Sequence, residues 1–291
     1  MQKIYKNLFV LDLANNHFGD LKHAKKIVDN FSIIIKKFQI NACIKFQFRD
    51  LDTYIHSKFK NDKNNKFVNR FMSTKLEKKE LKLLFEYIKK KNIKTCCTPF
   101  DEKSIDIIEE FNFDFLKIAS VSSNDWTLIE RSSQNNIPKI ISTGGRSIKD
   151  IDKIFSFFSQ KNQNFSIMHC VSIYPTDAKD SELHNIKKLL TRYNNEVTIG
   201  WSTHENQDDM VPIQIAMAKG AKMFERHVGL DTDEVKLNVY SSRPKQLDKW
   251  FEAYRYSEIL CGSSTHRPIT AIEQDSLDGL QRGMFLKHDV E

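Results

Sequence analysis

Short apolar, β-branched runs alternate along this chain with longer stretches in which apolar residues recur every three or four positions. The first pattern marks strands buried on both faces, the second amphipathic helices. Strand-like runs fall at residues 8–13, 42–46, 94–98, 113–118, 139–142, 165–169, 197–201 and 222–227. Helical patterns fall at 21–38, 79–90, 102–110, 127–134, 148–159, 184–192 and 209–219, with a last one at 244–260. Eight strands, each followed by a helix, predict an α/β fold of the closed (β/α)8 TIM-barrel type. A doubly wound open sheet would show the same alternation, but its glycine-rich turn G-x-G-x-x-G is missing after the first strand. The barrel is expected to occupy residues 1–262. The polar, Lys/Asn-rich segment 49–78 follows the second strand, on the face where barrel active sites form, and reads as a substrate-covering loop. Residues 263–291 read as a linker followed by a strand that begins near Met284.

Composition narrows the class further. With 40% hydrophobic residues, 21 Phe, 8 Tyr and 3 Trp, the chain has the apolar surface for a large core. Five cysteines, an odd number, are not a disulfide framework, and Cys43 and Cys170 lie in apolar runs as buried thiols. The formal charge of +7 comes from lysines scattered over helix faces, with no basic stripe interleaved with aromatics, so nucleic acid is not an expected partner. No apolar run approaches a membrane span of about 20 residues, and no signal-peptide core precedes Leu8-Phe9-Val10. A cytoplasmic protein is expected.

Barrel enzymes of this kind do their chemistry at the carboxyl ends of the strands. Those ends carry Asp12, Lys45-Phe-Gln47, Thr98-Pro-Phe, Lys117-Ile-Ala-Ser120, Ser142-Thr-Gly-Gly145, His169-Cys-Val-Ser172-Ile-Tyr174, Ser202-Thr-His204-Glu205 and Glu225-Arg-His227. Polar groups at all eight ends point to an enzyme. Lys45 and Lys117 sit inside apolar strands, where an ammonium needs an anionic partner. With the hydroxyls of Thr98, Ser120, Ser142 and Ser202 they would suit one phosphate and one carboxylate, the two groups of phosphoenolpyruvate. His204 and His227 stand at matching ends of adjacent strands, which lie about 4.8 Å apart, so both imidazoles are within reach of one metal ion. Mixed His and carboxylate ligation suits a borderline divalent ion such as Mn²⁺, acting as a Lewis acid on a carbonyl.

The strand ends, read in order, resemble the sialic acid synthases. Asp12-Leu-Ala-Asn15-Asn16-His17-Phe-Gly19-Asp20 is similar to the opening E-x-G-x-N-H-x-G-D of that family. Lys45-Phe-Gln47, Thr98-Pro-Phe100, Phe115-Leu-Lys117-Ile-Ala-Ser120, Ser142-Thr-Gly144, His169-Cys-x-Ser-x-Tyr174-Pro175-Thr176, Gly200-Trp-Ser202-Thr-His204-Glu205 and Gly220-Ala-Lys-x-x-Glu225-Arg226-His227 follow in the family's order. The resemblance implies condensation of phosphoenolpyruvate with an open-chain N-acetylmannosamine-like sugar, giving a nine-carbon 2-keto acid and phosphate. It implies a divalent metal, usually Mn²⁺ with Mg²⁺ or Co²⁺ as alternatives, on His204 and His227. It implies that Lys45, Thr98, Lys117, Ser120, Ser142 and Ser202 grip phosphoenolpyruvate, that Ser172 is substrate-binding, and that Gln47 and Tyr174 face the sugar. It also implies a homodimer in which a small C-terminal antifreeze-like domain, begun by a strand over 284–290, caps the partner's barrel.

Three positions depart from the family pattern. The early glutamate is Asp12, one methylene shorter, so a catalytic carboxylate shifts by about 1 Å. The acidic residue two after Ser120 is Ser122. The P-G-P-D segment after the eighth strand is replaced by Asp231-Thr-Asp-Glu-Val-Lys-Leu-Asn238-Val-Tyr240. These changes leave the phosphoenolpyruvate and metal residues in place and alter the acceptor side. Another barrel 2-keto acid synthase, a metal-dependent aldolase using pyruvate, and a non-catalytic sugar-binding barrel are the competing readings.

Overall fold

A strand whose side chains alternate between two faces can feed two cores at once. In β1 (Leu8–Asp12), Leu8 and Val10 join a small inner cluster with Cys43, Cys96, Phe115, Ile140, Met168 and Met223, while Phe9 and Leu11 join the large outer one. The inner cluster fills a barrel, and the outer one lies between the strands and the surrounding helices. The computed structural model describes every residue except 1, 61, 63, 194, 195, 264, 285, 286 and 289–291.

After β1 come α1 (Leu21–Lys37), β2 (Asn41–Phe48), α2 (Leu51–Tyr54), α3 (Lys66–Ser73), α4 (Lys78–Lys90), β3 (Lys94–Pro99), α5 (Glu102–Phe111), β4 (Phe115–Ile118) and α6 (Trp126–Ser132). The second half runs β5 (Lys139–Ser142), α7 (Ile148–Gln160), β6 (Phe165–Cys170), α8 (His184–Arg192), β7 (Thr198–Ser202), α9 (Val211–Ala218), β8 (Met223–Val228), β9 (Ser241–Ser242), α10 (Pro244–Cys261) and α11 (Ala271–Leu280). All neighbouring strands pair parallel, and β1 pairs with β8, so the eight-stranded barrel closes as expected. Tyr5, fully buried, stoppers the end opposite the active face, where its hydroxyl lies 3.1 Å from the Lys139 carbonyl and 3.0 Å from that of Asn164.

Three departures from the sequence reading have physical causes. The 49–78 segment is not a bare loop: α2 and α3 fold within it around a small core of Leu51, Ile55 and Val68, with Phe71 packed against it. The Asn65 side chain caps α3 by accepting from the amides of Phe67 and Val68. Residues 241–242 add a short ninth strand beside β8. Within the expected linker, α11 forms with a Thr270 cap and no buried residue. The strand expected over 284–290 lies largely outside the described residues. Among the described residues no helix is long and apolar enough to cross a membrane.

Candidate active site

The alternation that fills the inner core with Leu8 and Val10 turns Asp12 inward one step further on, and it does the same on every strand. Register then decides which groups meet. Asp12 lies opposite Lys45 on one side and His227 on the other, and Ser202 lies opposite Glu225. At the carboxyl end of the barrel these residues form a buried charge network. Lys45 Nζ is 2.9 Å from Asp12 Oδ2 and 2.9 Å from Glu225 Oε1, and Lys117 Nζ is 2.7 Å from Glu225 Oε2. Gln47 Nε2 donates to Asp12 Oδ2 at 3.1 Å, and the Ala14 amide donates to Asp12 Oδ1 at 2.8 Å. All four charged residues are almost wholly buried.

Burial alone would raise the pKa of both carboxyls, but the adjacent cations win. Lys117 and Lys45 hold Glu225 well below the usual carboxylate range, and Lys45 and His227 lower Asp12. Conversely, burial would lower the Lys45 pKa, but Asp12 and Glu225 raise it. Asp12 and Glu225 are therefore ionised and Lys45 is protonated at neutral pH, and in formal charge the two carboxylates balance the two lysines.

The expected anionic partner of each lysine is thus supplied from within the protein. Glu225 stands in the sequence at a strand end and within a family motif, but was not expected as the lysines' partner. Its part could have been found from its place two residues before His227, which puts both on the inner face of β8.

Around this network stand hydroxyls without partners. Thr98 Oγ1 and Ser142 Oγ are buried and make no hydrogen bond, an unusual state for buried polar atoms and one that suits a ligand's oxygens. Ser202 Oγ donates to Glu225 at 3.4 Å, and Ser120 Oγ accepts from the Gly144 amide at 2.9 Å. A Cβ on Gly144 would lie 2.8 Å from Ser120 Oγ and would also strike Ser172, so only glycine lets these two hydroxyls converge there.

The two histidines face each other, their ring centroids 5.3 Å apart. His204 Nδ1 lies 3.1 Å from the Val171 carbonyl, which can only accept, so Nδ1 carries the proton and Nε2 presents a bare lone pair. Burial, with His227 nearby, lowers the His204 pKa to about 3. Burial also lowers that of His227, against the pull of Asp12, whose Oδ2 is 3.4 Å from its Nε2. Two neutral imidazoles are what a divalent ion requires. Among the described residues no cluster of three His, Cys, Asp or Glu side chains is arranged to hold one, so the protein offers a nitrogen pair rather than a full cage.

Tyr174, half exposed, stands over His204 at 4.2 Å between ring centroids, and Tyr240 lies 5.7 Å from His227. Burial pushes the Tyr174 phenol up to about 12. Tyr240 was not among the residues expected here, because it belongs to the segment that departs from the family pattern. Every predicted site residue lies at this one face. Ser172 and Tyr174 stand at its exposed rim and the others inside.

Similarity to known proteins fits this geometry. The chain is 30% identical to the N-acetylneuraminate-9-phosphate synthase of Drosophila melanogaster over 246 residues, covering 80% of this chain and 63% of that one, which is less than two thirds of its length. A spore coat polysaccharide biosynthesis protein E from Chromobacterium violaceum superposes with a TM-score of 0.92 at 40% identity, covering 96% of this chain and 82% of that one. The N-acetylneuraminic acid (sialic acid) synthetase of Leptospira borgpetersenii serovar Hardjo-bovis superposes with a TM-score of 0.80 at 30% identity, covering 93% and 90%. With residues 36–266 matching that family and relatives named as synthases of sialic, legionaminic and pseudaminic acids, the chain belongs to the NeuB family.

Proposed function

We propose that this barrel is a carbon–carbon bond-forming synthase that joins phosphoenolpyruvate to an N-acylated hexosamine aldehyde, giving a nonulosonic 2-keto acid and inorganic phosphate. The observation that carries the reading is the convergence of two buried lysines, unpartnered hydroxyls and two neutral histidines at one barrel mouth.

In the reaction, C3 of phosphoenolpyruvate attacks the aldehyde carbon of the open-chain sugar. C2 takes up water, and its bond to the bridging oxygen breaks to release phosphate and leave the ketone. Lys45 and Lys117 are held in place by Asp12 and Glu225 before substrate arrives, so no reorganisation is needed when charge develops nearby. Thr98 and Ser142 donate to the ligand's oxygens, joined by Ser120 and Ser202. Asp12 is held ionised, which makes it a poor proton store, so we assign it to orienting the groups around it. Gln47, Ser172 and Tyr174 face the acceptor.

The lysines and carboxylates cancel, so an anion with about three charges needs further positive charge. His204 and His227 fit a divalent ion, and we propose Mn²⁺. Such an ion would polarise the acceptor carbonyl as a Lewis acid. We further propose a cytoplasmic homodimer with the barrel in residues 1–262. The test of the function is a screen of acylated hexosamines against phosphoenolpyruvate with mass detection. A product heavier than the acceptor by the elements of pyruvic acid supports the proposal, and no such product from any of them refutes it.

A further inference from the structure

Arg49 leaves the barrel at the end of β2 and turns into a cage of rings. Its guanidinium carbon lies 3.6 Å from the centroid of Phe100, 4.2 Å from that of Phe71 and 5.9 Å from that of Tyr54. Two of these rings, Tyr54 on α2 and Phe71 on α3, belong to the 49–78 segment, and Phe100 follows β3. One edge of the guanidinium remains, and its Nη2 donates to Gln47 Oε1 at 3.2 Å.

An arginine has only donors, so the Gln47 carbonyl must face it, and the Gln47 amide nitrogen must then face Asp12. Turned the other way, the amide would set its oxygen against a carboxylate. A relay therefore runs from the 49–78 segment through Arg49 and Gln47 to Asp12, which itself grips Lys45. The segment is fastened at both ends as well. Asn15 donates to Thr74 at 2.6 Å, and the Asp50 amide donates to Asp101 at 2.8 Å.

We infer that Arg49 is a positioning residue: it fixes the Gln47 amide toward Asp12 and ties that orientation to the seating of α2 and α3 over the mouth. This rests on the synthase reading, under which Gln47 faces the acceptor and Asp12 orients the groups around it. A guanidinium is needed, because only a flat cation stacks between rings while its edge donates to a carbonyl. Arg49 touches no substrate in this account.

The test uses the whole 291-residue chain with Mn²⁺ and the best acceptor. Arg49→Ala is expected to lower kcat for phosphate release by about tenfold or more, roughly the effect of a misplaced group in the reacting geometry. The KM for phosphoenolpyruvate should stay within about twofold, because its lysines and hydroxyls are untouched. Millimolar methylguanidinium should restore much of the loss, Arg49→Lys should not, and Arg49→Ala combined with Gln47→Ala should be no worse than Gln47→Ala alone.

Unchanged kcat in Arg49→Ala overturns the inference. So do additive losses in the double variant, or a raised acceptor KM at unchanged kcat, which would make Arg49 a binding residue. If the unaltered protein itself turns over no acceptor, it is the synthase reading that fails. The clamp is then judged by hydrogen exchange of α2 and α3, which Arg49→Ala should speed by about tenfold with the barrel strands unaffected. Equal exchange in both proteins overturns it.

Discussion

Glu225 offers the sharpest perturbation of the charge network. Glu225→Gln keeps the shape of the side chain and removes one buried charge, so any effect is electrostatic rather than a cavity. The carboxylate now accepts from Lys45 at 2.9 Å and from Lys117 at 2.7 Å. Lys45 keeps Asp12 at 2.9 Å, whereas Lys117 loses the carboxylate it is paired with. Breaking a buried pair by removing one partner costs about 3–5 kcal/mol, and with Lys45 still paired the lower end, about 3 kcal/mol, applies. For a chain of 291 residues that is roughly 5 °C in Tm. Urea unfolding at pH 7 measures it, with an unchanged m-value showing that the denatured state is the same.

Inorganic phosphate at about 10 mM should return about 1 kcal/mol to the variant, because an anion bound only by the folded state can take the place of the lost charge. The pH dependence has a definite sign. The folded pKa of Glu225 lies below its ordinary value, so its contribution is complete above about pH 4.3 and is lost as pH falls through the folded value. The stability gap between wild type and Glu225→Gln should stay constant from pH 8 to about pH 5 and close below about pH 4. A variant within about 0.3 kcal/mol of wild type at pH 7 would refute the reasoning.

Other perturbations separate binding from stability. Thr98→Ala and Ser142→Ala should weaken phosphoenolpyruvate binding about threefold to tenfold by calorimetry, with stability unchanged or raised, since neither hydroxyl has a partner in the ligand-free protein. Gly144→Ala should abolish turnover while the protein still folds by circular dichroism, because its Cβ would push Ser120 and Ser172 apart. Chelation should stop phosphate release and Mn²⁺ should restore it, with His204→Ala and His227→Ala folded but inactive. In chelator, wild-type stability should be complete above about pH 6.5 and decline as pH falls towards 3, because the buried His204 resists protonation that the unfolded chain accepts. His204→Asn should flatten that decline in acid-titration unfolding curves.

The fold was legible because each strand is an apolar run between two helical patterns, and closure needs only parallel neighbours and a β1–β8 pairing. The site was legible at strand ends for a related reason: alternation turns Asp12, Lys45, Lys117, Ser142, Ser202 and His227 to one inner face. Contacts that depend on register and loop packing were not. Nothing in the spacing of Lys45, Lys117 and Glu225 says that one carboxylate bridges both lysines across the barrel. Tyr240 reaches the histidines through an irregular segment whose path no periodicity encodes. The helices α2 and α3 are only four and eight residues long, too short for a recurring apolar pattern to register.

The measurement that tests the central claim most directly is the stoichiometry of phosphate release from phosphoenolpyruvate, with and without an acylated hexosamine, in the Mn²⁺-loaded protein. The account predicts one phosphate per molecule of 2-keto acid formed, strict dependence on the aldehyde acceptor, and no product when pyruvate replaces phosphoenolpyruvate. Product formed from pyruvate, or phosphate released at the same rate without acceptor, would contradict it.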